Sequence, residues 1–280
     1  MTVRYEKKGS IGIFTFDNGK VNAFTSQMHK EFHHKMDAFL RDSSVRVGIL
    51  TGAGERAFCA GDNIKNIDPK RSSKEALESH FRPTSAESED FYPGWLTELR
   101  RLPRHKPIIG ALNGPVIGQG FIFATNLMDL RIGTPNAFLS LPEIRYGMGG
   151  AGGTTQLWRH FPPAVAMRMV MIGDRLSADD ALRYGYYNEI VEQDQLMERA
   201  LTYAEIIASN PEVAVTVEME GFYRSMDMTR EDTSAFMRHL YQLQTVTHRS
   251  GGNESMSPLD EDSPETRKRE KLLRKISNNE

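Results

Sequence analysis

A chain of 280 residues with 39% hydrophobic and 26% charged residues and a net charge of −2 has enough apolar side chains for one large core. That near-neutral balance gives no sign of a nucleic-acid or membrane-surface partner, and no apolar run approaches the roughly 20 residues that span a bilayer. The single cysteine, Cys59, rules out an internal disulfide, and the N-terminal stretch has no apolar signal segment, so a reducing, cytoplasmic setting is expected.

In chain order, Val3–Glu6 and Ile11–Phe16 read as two strands joined at Gly9-Ser10. After the turn at 17–20, Thr25 or Ser26 caps a helix with Met28, Phe32, Met36, Phe39 and Leu40 on one face. His29 and His33 on that helix have the spacing of a metal pair, but no further ligand set is evident; they read as a solvated face, and no metal site is expected. Arg46–Thr51 is a buried-strand candidate running into Gly52-Ala53-Gly54 and then Ala57-Phe58-Cys59-Ala60-Gly61-Asp62-Asn63-Ile64-Lys65. Cys59 reads as a small buried hydrophobe rather than a nucleophile. The polar stretch 68–89 reads as a loop suited to substrate-specific contacts, and Phe91, Tyr92, Trp95 and Leu99 as one apolar helix face.

Strand Ile108–Leu112 feeds Asn113-Gly114-Pro115-Val116-Ile117-Gly118-Gln119-Gly120, followed by an apolar segment from Phe121 to Leu127. Short strands are expected at 129–133 and 137–141, then a second glycine-rich passage, Leu141 to Thr154, with Glu143 its only carboxylate. Glycines this dense let backbone N–H groups approach a ligand, and a helix starting there adds partial positive charge. The expectation is a site for a negatively charged oxygen with one acid/base beside it. Gly147 to Gly152 matches the dinucleotide pattern G-x-G-x-x-G, but it follows Pro142-Glu143-Ile144-Arg145-Tyr146 in mid-chain and begins no clear βαβ unit. Helices are expected at 154–160, 164–172, from Ser177 to Gly185, at 196–208, and continuously from Pro211 to about His248. Residues 250–264 read as a linker and 265–280 as a frayed helix or disordered tail.

The chain resembles the crotonase superfamily, the enoyl-CoA hydratase/isomerase group, from near Val3 to about residue 225. Six pieces in the family's order carry the resemblance: Val21-Asn22-Ala23-Phe24, Ala57 to Lys65, Asn113 to Gly120, Leu141-Pro142-Glu143-Ile144, Gly152-Gly153-Thr154, and Gly173 to Ala178 with Ala181 and Gly185. It implies an α/β fold, a spiral of ββα units in two sheets over residues 1–200, a C-terminal helical oligomerisation region at 201–249, and a linker and charged tail at 250–280. It implies homotrimers or hexamers and an acyl-CoA thioester substrate, with no cofactor besides the coenzyme A of that substrate. Two backbone N–H groups, at Asp62 and Gln119, would stabilise a thioester enolate. Glu143 would move the proton in double-bond hydration or isomerisation, and Ala23, Ala60, Asp62, Asn63, Ile64, Lys65 and Gln119 would line the coenzyme A arm.

The sequence departs from the family at the second glutamate of typical hydratases. Asn113 to Asp129 is one residue longer than the usual spacing, which leaves Ile122 or Phe123 at the equivalent position. The acid used by dienoyl isomerases falls at about Gly150 or Ala151 and is missing too. With one carboxylate, the rival readings are cleavage of a carbon–carbon bond in a β-keto thioester or β-diketone, or a non-catalytic binding protein. His80, His105 and Tyr146 are candidate helpers.

Overall fold

The computed structural model describes residues 2–64, 72, 74, 99, 102–250 and 264–277. The expected loop at 68–89, the aromatics Phe91, Tyr92 and Trp95, His80, Lys65 and the linker after 250 lie outside, or almost wholly outside, those residues. β1 (Thr2–Lys8) and β2 (Ile11–Asp17) form the expected hairpin, and β2 pairs in parallel with β3 (Val47–Gly52). Every residue of β3 and of β4 (Ile108–Leu112) is buried, as central strands covered on both faces must be. With β6 (Leu130–Gly133) and β9 (Glu189–Ile190) they complete a six-stranded sheet in the order β1-β2-β3-β4-β6-β9. A smaller sheet joins β5 (Val116–Ile117), β7 (Leu139–Ser140) and β8 (Arg175–Leu176).

One face of the large sheet is covered by α1 (Ser26–Arg41), whose first turn is capped by the Thr25 hydroxyl accepting from Met28 N–H at 3.2 Å. Its apolar face meets α2 (Gln119–Leu127) in an aromatic cluster: Phe24 and Phe123 lie 4.8 Å apart between ring centres, Phe32 and Phe123 5.3 Å. The other face, Ile49, Ile109, Ala111 and Ile132, is covered by Leu196, Ala200 and Ala204 of α6 (Leu196–Ser209).

Between the two sheets' later strands come α3 (Ala151–Thr154), α4 (Pro163–Ile172) and α5 (Ala178–Arg183), the last capped by Ser177 as expected. The single helix expected at 154–160 is instead α3 and a separate 3₁₀ turn at Leu157–Arg159, because Gln156 takes a left-handed conformation, φ 47°, that no helix can pass through. The helix expected from Pro211 onward is likewise two, α7 (Glu212–Ser225) and α8 (Arg230–Ser250). Thr229 starts the second by accepting from Asp232 N–H at 3.1 Å, a cap overlooked inside an otherwise helical pattern. Tyr223 of α7 reaches back to Asp129, which also takes Arg104 at 2.7 Å. The tail is helical over Pro264–Ser277 (α9) and packs on α6, where Arg199 donates to the Lys275 carbonyl at 2.5 Å and Lys275 pairs with Glu198 at 3.1 Å. No helix among the described residues is long and apolar enough to cross a membrane.

Candidate active site

The site lies where short extended segments from successive units are laced side by side. Ala60 N–H donates to the Val21 carbonyl at 2.9 Å, Phe24 N–H to Gly61 at 2.8 Å, and Asn63 N–H to Phe24 at 2.7 Å. On the other edge, Ile117 N–H donates to the Cys59 carbonyl at 2.9 Å, and Gly118 N–H to Ser140 at 2.9 Å. Residues 21–24 and 59–63 thereby extend the small sheet through bridges Phe24–Asp62 and Cys59–Val116. Two asparagines pin the turns that lead in. Asn22, itself at φ 50°, donates to the carbonyls of Ala53 and Ala57 at 3.0 and 2.9 Å. Asn113 accepts from Gly52 N–H at 3.0 Å and donates to the Gly54 carbonyl at 2.6 Å.

This lacing orients the two expected donors. In an extended segment successive peptide groups face opposite edges. The Gly61 carbonyl and Asn63 N–H both face Phe24, so the Asp62 N–H faces the opposite edge, toward 117–119. Gln119 is the first residue of α2, where an N–H has no partner within the helix. The two segments touch: a Cβ on Gly61 would stand 3.2 Å from the Ile117 carbonyl and 3.4 Å from Gln119 N, and Gly61 has φ +91°. Only glycine fits there.

Glu143 is the second residue of a 3₁₀ turn, Pro142–Tyr146, closed by Gly147 in the left-handed region. Its carboxylate lies over the other glycine loop: a Cβ on Gly118, φ +54°, would stand 3.0 Å from Glu143 Oε1. Burial pushes the Glu143 carboxyl above the ordinary carboxylate value, its own backbone N–H pulls the other way, and the negative charge of Asp62 adds to the rise. A carboxyl raised in this way is better matched to proton transfer near neutrality.

The structure overturns the reading of His29 as part of a solvated face. His29 is 5% exposed, packs edge-on to Phe24 at 5.0 Å, and places Nε2 2.7 Å from Asp62 Oδ1. As a carboxylate only accepts, Nε2 carries the hydrogen. The Asp62 carboxylate is therefore drawn toward α1, which answers how an acidic side chain is tolerated on a residue expected to face an oxyanion. The signal was available: His29 lies one residue after Met28 and three before Phe32, at the edge of the apolar stripe. His33 is half-buried and His34 exposed.

The other expected residues fall as follows. Ala23, Ala60 and Asn63 are half-buried and adjoin Asp62 through the lacing just described, while Ile64 is exposed. Cys59 is fully buried and its thiol is pushed up to about 12 by burial, as befits the expected small hydrophobe. Phe123 is wholly buried in the aromatic cluster and Ile122 nearly so. Tyr146 is exposed in the same turn as Glu143, and His105 lies under α7, where Thr216 donates to its carbonyl at 3.2 Å. The G-x-G-x-x-G match follows the 3₁₀ turn and leads into only the four-residue α3, so it lacks the strand and long helix of a dinucleotide site. Among the described residues no group of three or more His, Cys, Asp or Glu is placed to hold a metal ion.

This is the two-sheet α/β architecture of the crotonase superfamily, with a helical C-terminal region. An enoyl-CoA hydratase subunit I of Geobacillus kaustophilus shares it with a TM-score of 0.76 at 28% identity, over 87% of this chain and 90% of that one. An enoyl-CoA hydratase/isomerase of Mycobacterium paratuberculosis shares it with a TM-score of 0.72 at 26% identity, over 86% and 89%. The chain belongs to the enoyl-CoA hydratase/isomerase family, whose model matches residues 6–261. It is 34% identical to the carnitinyl-CoA dehydratase of Proteus mirabilis over 82% of this chain and 84% of that one. It is 36% identical to the (E)-benzylidenesuccinyl-CoA hydratase of Thauera aromatica over 68% and 69%.

Proposed function

We propose that the protein is an enzyme that adds water to, or removes it from, a carbon–carbon double bond next to an acyl-CoA thioester. The carrying observation is the Glu143 carboxylate standing 3.0 Å from the Cβ position of Gly118, one residue before Gln119. The Asp62 and Gln119 N–H groups would hold the thioester oxygen as it gains charge. Fixed donors of this kind need no reorganisation during the reaction, and losing one typically costs about 2.7–4 kcal/mol. Glu143 would carry the proton at the α-carbon. The coenzyme A arm would run past Ala23, Ala60, Asp62, Asn63, Ile64 and Lys65, with no cofactor beyond it. The printed activities of the two relatives, a dehydratase and a hydratase of CoA thioesters, favour chemistry with water. The apolar Ile122 and Phe123 favour a second reading, double-bond isomerisation, in which Glu143 removes and returns one proton.

Turnover of 2-enoyl-, 3-enoyl- and 3-oxoacyl-CoA thioesters by wild type and Glu143→Gln tests the proposal. Loss of hydration in the variant with coenzyme A binding retained is expected. A variant active on every substrate turned over removes Glu143 from its role, and cleavage of the 3-oxoacyl thioester alone would favour the carbon–carbon reading. Further copies of the chain, as a trimer or hexamer, would cover the exposed Met167, Met171 and Ile172 of α4 and Phe222 of α7. Light scattering on the full chain reads that directly, a monomer being the contrary result.

A further inference from the structure

Two buried polar atoms of the site have no hydrogen-bond partner: Gln119 Nε2 and Glu143 Oε2. Gln119 is only 5% exposed, and buried donors and acceptors are rarely left unpaired without a ligand, water or ion to meet them. Gln119 directly follows Gly118, whose Cβ position stands 3.0 Å from the other Glu143 oxygen, so both unpaired atoms belong to residues of the same glycine loop and the turn over it. An ionised Glu143 only accepts, whereas Gln119 Nε2 donates. A group that satisfies both must accept one hydrogen bond and donate another. Water and an alcohol hydroxyl do so; a thioester carbonyl oxygen cannot.

We infer that Gln119 Nε2 and Glu143 Oε2 form the seat of the water that is added, or of the β-hydroxyl that leaves. The inference rests on the hydration reading above. It gives the Gln119 side chain a task separate from that of its backbone N–H, and it places an orienting group in a site where Ile122 and Phe123 offer none. The step then needs only one carboxylate. The water oxygen bonds to the β-carbon as its proton passes to Glu143, and the displaced electron pair moves through the α-carbon to the thioester oxygen. Collapse of that enolate takes the same proton from Glu143 onto the α-carbon. Glu143 ends as the carboxylate it began as, and the amide of Gln119 exchanges no proton.

The test separates water from proton chemistry. Hydration of 2-butenoyl-CoA is measured beside deuterium uptake from D₂O at the α-carbon of butanoyl-CoA, which has no oxygen at the β-carbon. Gln119→Ala and Gln119→Met both keep the backbone N–H, and methionine also keeps the volume should the smaller residue loosen the fold. Expected for both is a fall in hydration at least about tenfold greater than any fall in deuterium uptake, as for a lost hydrogen bond to a reacting group. Equal falls in both rates would overturn the inference in favour of a packing or oxyanion role, and so would undiminished hydration by Gln119→Met. A wild type that neither hydrates nor exchanges would defeat the underlying hydration reading, and this inference with it. A wild type that does both while the variants fail to separate them defeats the water seat alone.

Discussion

The two sides of the site are built differently. The proposed donor side, 59–63 against 115–119, is fixed edge to edge by backbone hydrogen bonds and backed by the aromatic cluster of Phe24, Phe32 and Phe123. The proposed acid/base side is a single 3₁₀ turn whose Ile144 and Tyr146 are exposed and whose continuation holds little but glycine and an exposed Met148. One side is held by structure that spans several units of the spiral, the other by a local turn closing on Gly147. Donors to a developing charge gain most from being immobile, because movement on reaction is what they exist to avoid. A proton carrier must instead reach more than one atom, and a small turn permits that.

Substitutions on each side should expose this asymmetry. The largest effect is expected for Glu143→Gln, a loss of at least about a hundredfold in turnover, the usual range for removing a general acid/base. Next is Gly118→Ala. Its methyl would meet the Glu143 carboxylate, and its backbone sits at φ +54°, so turnover should fall about tenfold to a hundredfold with little change in substrate binding. If Gly118→Ala instead weakens binding and leaves turnover intact, the carboxylate does not act from where it lies.

His29→Leu probes the donor side through its support. It removes the hydrogen bond to Asp62 at nearly constant volume, and a stability loss of about 1–3 kcal/mol by denaturant titration is expected. His29→Gln, which keeps a donor, should recover part of that loss; equal losses would make the histidine a packing residue only. The smallest effect is on stability at Glu143. Its carboxyl is raised in the folded state, so the unfolded chain ionises first as pH rises and stability falls as pH climbs past the ordinary carboxylate value. Glu143→Gln removes that penalty. It should therefore be more stable than wild type at neutral pH, with the difference vanishing below about pH 4, where both states of the wild type are protonated. A thermal-unfolding series over pH reads the difference, and one of constant size would contradict the assigned burial.

Most of the architecture was legible because the signals are local. Alternation in β2, the uninterrupted apolar β3 and the Thr25 and Ser177 caps each follow from a few adjacent residues. The breaks at Gln156 and Thr229 were not, since a left-handed glutamine has no composition signal and a cap inside a helical pattern looks like one more polar residue. At the site, glycine-rich context and family resemblance point to Asp62, Gln119 and Glu143 as candidates. The His29–Asp62 pair was not legible, because its members are 33 residues apart and meet only once α1 has packed on the strands. The unpaired atoms of Gln119 and Glu143 are invisible to sequence for the same reason: pairing is a property of the folded neighbourhood.

Cys59 has a practical use beyond packing. Its thiol is the chain's only one, and it is fully buried where the two segments proposed to carry the donors bridge each other at Cys59 and Val116. A thiol reagent can reach it only when those segments part. The labelling rate therefore works as a clock for the parting of those two segments, and a substrate analogue that stitches them together should slow it.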